Sequence, residues 1–225
     1  NRTGASGAIA NEMVAKSPAD GYTLLMMPSS GAILPALRAK LPYDLERDLA
    51  PVSLVAVAPF VLAVHPSVPA RNVKELIALA RSHPGKLSYG TSGVGSAVHL
   101  AGALFNSMAK VNILHVPYKG GGESVIAHVA GHVEVSYPSI PALQPFLGTG
   151  RLRPLAMTGG KRSSLMPSIP TLHESGLLGY DRSNWSGISA PAGVPKDIIA
   201  RLNAAVGKVG NTPEMRDALN RQGLE

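Results

Sequence analysis

The stretch Tyr89-Gly-Thr-Ser-Gly-Val-Gly-Ser-Ala-Val-His-Leu100 joins a short apolar run to a segment of helical period. Apolar residues then recur at spacings of three and four, which predicts one apolar helix face: Ala97, Leu100, Ala101, Leu104, Phe105 and Met108. The glycines, serines and threonine in between leave backbone N–H groups open at a helix start, where the helix dipole favours an anion. The same composition also fits an ordinary turn capped by Ser96 or Ser92.

Three other corners of the chain share this Ser/Gly composition or follow a strand in the same way. They lie at residues 28–31, at residues 117–122 and at Pro138-Ser139. Short strands alternate with helices along the sequence, which indicates βαβ units and parallel sheets. In such folds ligands bind at the carboxyl ends of the strands. Several such corners at strand ends therefore favour ligand binding over a set of ordinary turns.

The composition describes a globular chain that attracts anions. Of its 225 residues 45% are hydrophobic and 16% charged, and the formal net charge is +7. Lys and Arg are scattered and only 4% of residues are aromatic, which disfavours a nucleic-acid partner. No apolar run approaches the ~20 residues of a membrane span. The absence of cysteine excludes disulfides and thiolate metal sites, and it is compatible with an oxidising compartment.

Catalytic and nucleotide-binding motifs are absent from the sequence. Gly93-Val-Gly-Ser-Ala-Val98 does not complete G-x-G-x-x-G, and neither a Gly-Lys-Ser/Thr triplet nor G-x-S-x-G occurs. His128 and His132 lack a zinc-motif glutamate, and we interpret both as solvated turn histidines. His99 and His115 are interpreted as core or hinge-facing histidines with a hydrogen-bond partner. We therefore predict a binding protein, not an enzyme, with no metal and no cofactor.

Motifs spread over nearly the whole chain carry a resemblance to a known family. The segments are Asn1-Arg-x-Gly-Ala-x-Gly, Pro18-Ala-Asp-Gly-Tyr-Thr-Leu-Leu, Leu41-Pro-Tyr-Asp, Asp48-Leu-Ala-Pro-Val-Ser, Ser92-Gly-x-Gly-Ser-x-x-His-Leu, His115-Val-Pro-Tyr-Lys-Gly, Pro170-Thr-Leu-x-Glu-x-Gly and Trp185-x-Gly-x-x-Ala-Pro-Ala-Gly-x-Pro. In this order they resemble the Bug-type (TctC-like) extracytoplasmic solute receptors of tripartite tricarboxylate transporters. Ser6 and Ala10 depart from the glycines usual in that family.

The resemblance implies a two-lobed, α/β type-II periplasmic-binding-protein fold, with a mostly parallel sheet in each lobe and a ligand cleft between the lobes. We expect residues 1–63 with 181–225 to form lobe 1 and residues 64–180 to form lobe 2. The crossings are expected near 60–65 and 180–186, with the strands Val61–Val64 and Ser183–Ala190 in one lobe. The ligand-binding residues implied are Ser29, Ser30, Gly31, Thr91, Ser92, Gly93, Gly95, Ser96, Tyr118, Lys119, Gly120, Pro138 and Ser139.

The function implied is capture of a small carboxylate in the periplasm for the membrane subunits of such a transporter. Dicarboxylates, tricarboxylates, acidic amino acids and aromatic acids are all compatible with it. We expect a monomer that is not membrane-embedded. The alternative is a ligand-sensing domain of the same fold in signalling or regulation. Because family members begin with a further strand and end with a further helix, we expect lobe 1 to be truncated at both ends and to expose apolar surface or a strand edge.

Overall fold

The computed structural model describes residues 8–37 and 40–225, so the opening motif at residues 1–7 lies outside the described part. In chain order the elements are α1 (Ala8–Ala15), β1 (Leu25–Pro28), α2 (Ser29–Leu37), α3 (Leu45–Asp48), β2 (Leu49–Pro59), β3 (Val61–Val64), α4 (Val73–Ser82), β4 (Ser88–Thr91), α5 (Ala97–Ala109), β5 (Leu114–Pro117), α6 (Gly121–Val129), β6 (Val135–Ser136), α7 (Ile140–Leu147), β7 (Arg153–Met157), β8 (Ser183–Pro191), α8 (Lys196–Gly210) and α9 (Pro213–Arg221).

The described chain divides into two compact units. The first contains the described part of Asn1–Val57 together with Asn184–Asn220. The second contains Ala58–Ser183 and the last residues, Arg221–Glu225. Each unit has a sheet of its own, with strand order β1-β8-β2 in the three-stranded sheet and β5-β4-β6-β3-β7 in the five-stranded sheet.

The five-stranded sheet is more mixed than the sequence predicts. β4 is parallel to both β5 and β6, but β3 runs antiparallel to β6 and β7. In the other sheet β1 pairs with β8 in antiparallel fashion. β3 follows β2 after a single residue, Phe60, but the two strands belong to different sheets.

The prediction that the strands at Val61–Val64 and Ser183–Ala190 share a lobe is wrong. β3 belongs to the five-stranded sheet, where Leu62 lies opposite Ala156 and Ala63 lies opposite Ser136. β8 belongs to the three-stranded sheet. Both stretches are of strand length, and their sequences do not specify which partner strands they bond.

Helix α5 packs its predicted apolar face into the core of the second unit. Ala101 and Phe105 are fully buried, and Ala97, Leu104 and Met108 pack against the same core. The predicted cap at Ser96 is confirmed, because its Oγ accepts from the His99 N–H at 3.2 Å. The helix ends at a left-handed residue, Lys110, whose N–H bonds the Asn106 carbonyl.

Helix α4 begins with a cap formed by Asn72 and Glu75, a pair with the Asn-x-x-Glu spacing of a capping box. The Glu75 N–H donates to Asn72 Oδ1 at 2.9 Å. The Glu75 carboxylate in turn accepts from the Arg71 N–H at 2.7 Å. Val73, Leu76 and Ala80 then form the buried face of the helix. The reciprocal hydrogen bonds satisfy N–H groups that a helix start cannot bond internally.

The first unit packs helix α8 on its three-stranded sheet. Ile198, Ile199 and Leu202 lie against a small core that contains Val52 and Ala190. β1 lies at one edge of the described sheet. Apolar side chains remain accessible in this unit, with Met26 57% and Leu54 62% exposed. No helix in residues 8–37 or 40–225 has the length and apolar character to cross a bilayer.

Gly102, inside α5, allows the helix to contact the ring of Tyr89. A Cβ at this position would collide with three ring atoms of Tyr89, which is itself buried. We expect Gly102→Ala to lower the free energy of unfolding by about 1–3 kcal/mol, because the ring has little room to move. Gly207→Ala in α8 is the control: its Cβ meets nothing within 4 Å. The control should gain up to about 1 kcal/mol from helix propensity. Guanidinium unfolding of both variants tests this, and equal effects would contradict it.

Candidate ligand-binding site

The second unit contains a cavity of about 290 Å³ beside the carboxyl ends of β4 and β6. Its lining comes from those strands and from the first turns of α5, α6 and α7. The residues are Phe60, Gly90, Ser92, Val98, Gly121, Gly122, Ser124, Val125, Ser136, Tyr137, Pro138, Ser139 and Ala142. None of them carries a charge. The cavity therefore offers backbone groups and hydroxyls as its polar contacts.

Two helices begin at this cavity without a side-chain cap. The N-cap of α6 is Gly120, and the N-cap of α7 is Ser139, whose side chain makes no capping hydrogen bond. Gly121 and Gly122 of α6 line the cavity, as does Ala142 of α7. The first N–H groups of a helix have no partner within the helix and carry its positive dipole end. An anion in the cavity would satisfy those of α6 and the remaining ones of α7, whose second residue, Pro141, has no N–H.

The hydroxyl of Ser124 is a second sign of an occupant. Ser124 is only 4% exposed and lines the cavity. Within residues 8–37 and 40–225 its Oγ has no hydrogen-bond partner, although its own N–H bonds the Gly120 carbonyl. In the described ranges the fully buried side-chain polar atom without a partner is Arg182 Nη2, so the Ser124 oxygen is accessible from the cavity, where a ligand can bond it.

The glycine loop of residues 91–96 is held by two histidines. The Gly95 N–H donates to His99 Nδ1 at 3.2 Å, and Thr91 Oγ1 lies 2.6 Å from His115 Nε2. The Gly93 N–H donates to the same threonine oxygen at 3.1 Å. Burial, and then the neighbouring His99, lower the pKa of His115, which keeps that ring neutral at pH 7. Both histidines therefore have the predicted hydrogen-bond partner. Three loop N–H groups are already bonded, those of Gly93 and Ser96 within the loop and that of Gly95 to His99.

Comparison with known proteins gives this chain its family. The sequence profile of the tripartite tricarboxylate transporter family receptor, TctC, matches residues 1–225. This chain belongs to the TctC family. Its members are solute-binding receptors, not a family of enzymes, and they act as periplasmic binding proteins.

Individual relatives agree with the TctC assignment. Protein BugT of Bordetella pertussis is 35% identical, over 99% of this chain and 69% of its own length. The structure of R. palustris Rpa4515 with adipate has a TM-score of 0.75 at 36% identity, with 100% of this chain and 76% of that chain covered. MatC from Rhodopseudomonas palustris with bound malate has a TM-score of 0.73 at 31% identity, with 98% and 76% covered.

The structure brings some of the predicted TctC site residues to the cavity. Ser92, Pro138 and Ser139 line it, and Gly120 is the N-cap beside the lining Gly121. The remaining predicted residues of this unit lie behind or beside it. Thr91 is fully buried, and Ser96 Oγ serves as the cap of α5.

Other predicted residues lie away from the lining. A ring carbon of Tyr118 is 3.2 Å from where a Gly90 Cβ would lie. Lys119 is exposed, and its N–H donates to the Glu123 carboxylate at 3.0 Å. Ser29, Ser30 and Gly31 begin helix α2 of the first unit, and Ser29 Oγ donates to Asn184 Oδ1 at 2.5 Å.

The interpretation of His128 as a solvated turn histidine is wrong. The ring is fully buried in the last turn of α6, between Ser136 Oγ at 2.5 Å and the Glu134 carbonyl at 3.2 Å. Burial lowers its pKa to about 4. His132, three residues beyond the end of the helix, is exposed. No cluster of three metal-ligating side chains occurs in the described ranges.

The list of ligand-binding residues predicted from the sequence leaves out five polar or glycine positions of the cavity: Gly90, Gly121, Gly122, Ser124 and Ser136. Of these, Gly121 and Gly122 lie within the corner at residues 117–122 that the sequence indicates. Two signals could have found some of them. The run Gly120-Gly-Gly122 starts a helix without a Ser, Thr, Asn or Asp cap. Ser136 is a polar residue in the apolar run from Val133 to Tyr137.

Burial of neutral His128 makes the stability of this TctC receptor depend on pH. Its pKa is about 4 in the folded state and 6.5 in the reference state, so the unfolded chain binds the proton first as the pH falls. The stabilisation is fully present above pH 6.5 and is lost as the pH falls towards 4. By pH 5 it should have decreased by about 2 kcal/mol.

Guanidinium unfolding at pH 7.5 and pH 5 measures this loss. His128→Leu should be less stable than the parent at pH 7.5 but should show a smaller loss on acidification. The control is His132→Leu at the exposed turn position, which should retain the parental pH dependence. An unchanged slope in His128→Leu would contradict the assignment.

Proposed function

We propose that this chain captures a small carboxylate and delivers it to the membrane subunits of a tripartite tricarboxylate transporter. The observation that carries the proposal is the pair of uncapped helix starts, at Gly120 and Ser139, beside one cavity. Backbone N–H groups at helix starts are well suited to a carboxylate. The unpartnered hydroxyl of Ser124 adds a donor inside the same cavity.

The electrostatic setting supports an anionic ligand. The cavity lining contains no Asp or Glu. The negative charge beside it is Glu123 in the first turn of α6, which is exposed and accepts from the Lys119 N–H. The formal net charge of +7 favours the approach of an anion to the protein. Because the lining also lacks a histidine, lysine or carboxylate that could act as a general acid or base, we propose binding without catalysis.

Relatives support the ligand class. Rpa4515, which is 36% identical to this chain, has a structure with adipate, and MatC, which is 31% identical, has one with bound malate. Both ligands are dicarboxylates. We propose that the present chain also binds a small carboxylate of this kind. We further propose that it does so in the periplasm, as a monomer.

The remaining sequence predictions belong to the same proposal. They comprise contacts from Ser29, Ser30, Gly31, Thr91, Gly93, Gly95, Ser96, Tyr118 and Lys119, and a division into two lobes. The boundaries expected from the sequence, 1–63 with 181–225 and 64–180, move so that β3 belongs wholly to the second lobe. Support for the division comes from the two separate sheets. Alanine substitution of the two serines at 29 and 30, followed by calorimetry, tests the predicted contacts of the first unit.

The binding of a carboxylate at α6 can be separated from the stability of the helix by a single substitution. Gly120 has an extended backbone (φ −168°), and a Cβ there would meet nothing within 4 Å. In Gly120→Asp the new carboxylate can therefore cap α6 itself, which should raise the free energy of unfolding by roughly 0.5 kcal/mol. Its charge also occupies the N–H groups that the ligand needs, so we expect affinity to fall about 10- to 100-fold.

Isothermal titration calorimetry against dicarboxylates, tricarboxylates, acidic amino acids and aromatic acids identifies the ligand to use. Gly120→Ala is the matched control: it adds a Cβ without a competing carboxylate and should keep the parental affinity. Undiminished affinity in Gly120→Asp, with stability maintained, would place the carboxylate elsewhere. Failure of the parent protein to bind any carboxylate would refute the function itself.

A further inference from the structure

Gly223 packs against the first turn of α7 at a residue that does not line the cavity. A Cβ on Gly223 would collide with Pro141 Cδ and would lie 2.8 Å from Pro141 Cγ. Gly223 is buried, and its φ of +70° also favours glycine. Ser139 and Ala142, in contrast, line the cavity. The first turn of α7 therefore contacts the cavity through two residues and Gly223 through a third.

Glu225 anchors the same segment two residues further on. Its Oε1 accepts from the Ser164 N–H at 2.6 Å and from the hydroxyls of Ser163 and Ser164 at 3.0 and 2.5 Å. Ser163 is only 1% exposed, and its Oγ also accepts from the Leu165 N–H at 3.1 Å. Hydrogen bonds to a charged carboxylate are stronger than those between neutral groups. The 223–225 segment is thus fixed to the second unit at both of its ends.

Both contacts of the 223–225 segment lie beside one apolar cluster of the second unit. Ile140 of α7 belongs to this cluster, and Leu165, next to the anchoring serines, packs against it. Val125, which lines the cavity from α6, packs against the same cluster. Densely packed interiors transmit small displacements. A shift of the segment would therefore reach residues of the cavity.

The start of α7 has few other restraints. Ser139 makes no side-chain capping bond, and Pro141 has no N–H. The backbone bonds there are those of the Leu143 N–H to the Ser139 carbonyl at 3.0 Å and of the Val61 N–H to the Pro138 carbonyl at 2.9 Å. Helix ends open more readily than helix centres. A contact that restrains the first turn from outside the cavity therefore affects how its N–H groups are presented.

We propose that the 223–225 segment positions the start of α7 for ligand binding, with Gly223 as the contact and Glu225 as the anchor. The inference rests on the proposed function, because it takes a carboxylate to bind at the start of α7. Neither residue lines the cavity, so both are positioning residues. A binding group that is already held in its bound geometry raises affinity, because less freedom is lost on association.

Gly223→Ala tests the contact. Its Cβ collides with Pro141, so the segment or the helix start must move, and we expect affinity to fall about 3- to 10-fold. Gly150→Ala is the matched control: its φ is nearly the same, +66°, but a Cβ there would meet nothing within 4 Å. The control introduces similar backbone strain and should keep the parental affinity. Calorimetry with adipate, with malate and with the tightest acid of the wider carboxylate panel measures both variants.

Glu225→Ala tests the anchor with a substitution at an exposed residue. We expect affinity to fall about threefold or more, because the segment loses the hydrogen bonds that hold it. Ser164→Ala removes one of the same bonds. The double variant should bind no more weakly than Glu225→Ala alone, since both substitutions act on a single contact. Additive losses would contradict the anchor.

Amide hydrogen exchange without ligand separates positioning from a loss of overall stability. In Glu225→Ala the Leu143 N–H, which donates to the Ser139 carbonyl, should exchange faster than in the parent. The Phe105 N–H in the middle of α5 should keep its parental rate. A general loss of stability would speed exchange at both positions and leave the affinity of the folded protein unchanged.

The outcomes separate this inference from the proposed function. If the parent protein binds no acid of the carboxylate panel, the proposed function fails and the positioning role fails with it. If the parent binds a carboxylate and both Gly223→Ala and Glu225→Ala bind it equally well, the positioning role is overturned and the receptor function stands. An equal loss in Gly150→Ala would also overturn it. Should Gly223→Ala fold poorly, Glu225→Ala decides.

Discussion

The register between β4 and β6 places a residue without a side chain, Gly90, beside Ser136. Any Cβ there would lie 2.8 Å from Ser124 Oγ and 3.2 Å from Tyr118 and Val133 side-chain atoms. A larger residue would therefore push the helix away from the strand. Gly90 lets α6 pack directly on β4, and that contact brings Ser124 of α6 to the cavity that Gly90 and Ser136 also line.

Histidines provide much of the polar framework around that approach. His99 and His115 bond the glycine loop, with ring centroids 4.1 Å apart, and His128 bonds the strand that carries Ser136. Each ring acts as a rigid spacer with hydrogen-bonding groups at two positions. A buried hydrogen-bond network of this kind fixes neighbouring groups strongly when it is satisfied, and costs stability when one partner is lost. The histidines that lack catalytic motifs in the sequence thus serve to position the backbone and a serine.

Local features of the chain were predictable from the sequence, and long-range pairings were not. The apolar face of α5, the Ser96 cap and the capping box at Asn72 depend on residues within a few positions of one another, and all three are present. The sheet to which β3 belongs depends on partners about 70 to 95 residues away in sequence. The burial of His128 similarly depends on Ser136 in a neighbouring strand, a contact that helical periodicity does not reveal. The cavity lining was partly predictable. Glycine-rich helix starts are visible in the sequence, but the sequence does not show that two of them lie beside one cavity.

The open starts of α6 and α7 also connect occupancy with folding. A group that satisfies those N–H donors binds the native chain and not the unfolded one, so it shifts the folding equilibrium by mass action. At a solute concentration one hundred times the dissociation constant, this coupling amounts to about 2.7 kcal/mol. The free energy of unfolding would then rise when solute is abundant and fall when it is scarce. The lifetime of the protein would follow, because proteases cleave chains that have opened. The supply of nutrient would in this way help to set the amount of its own receptor.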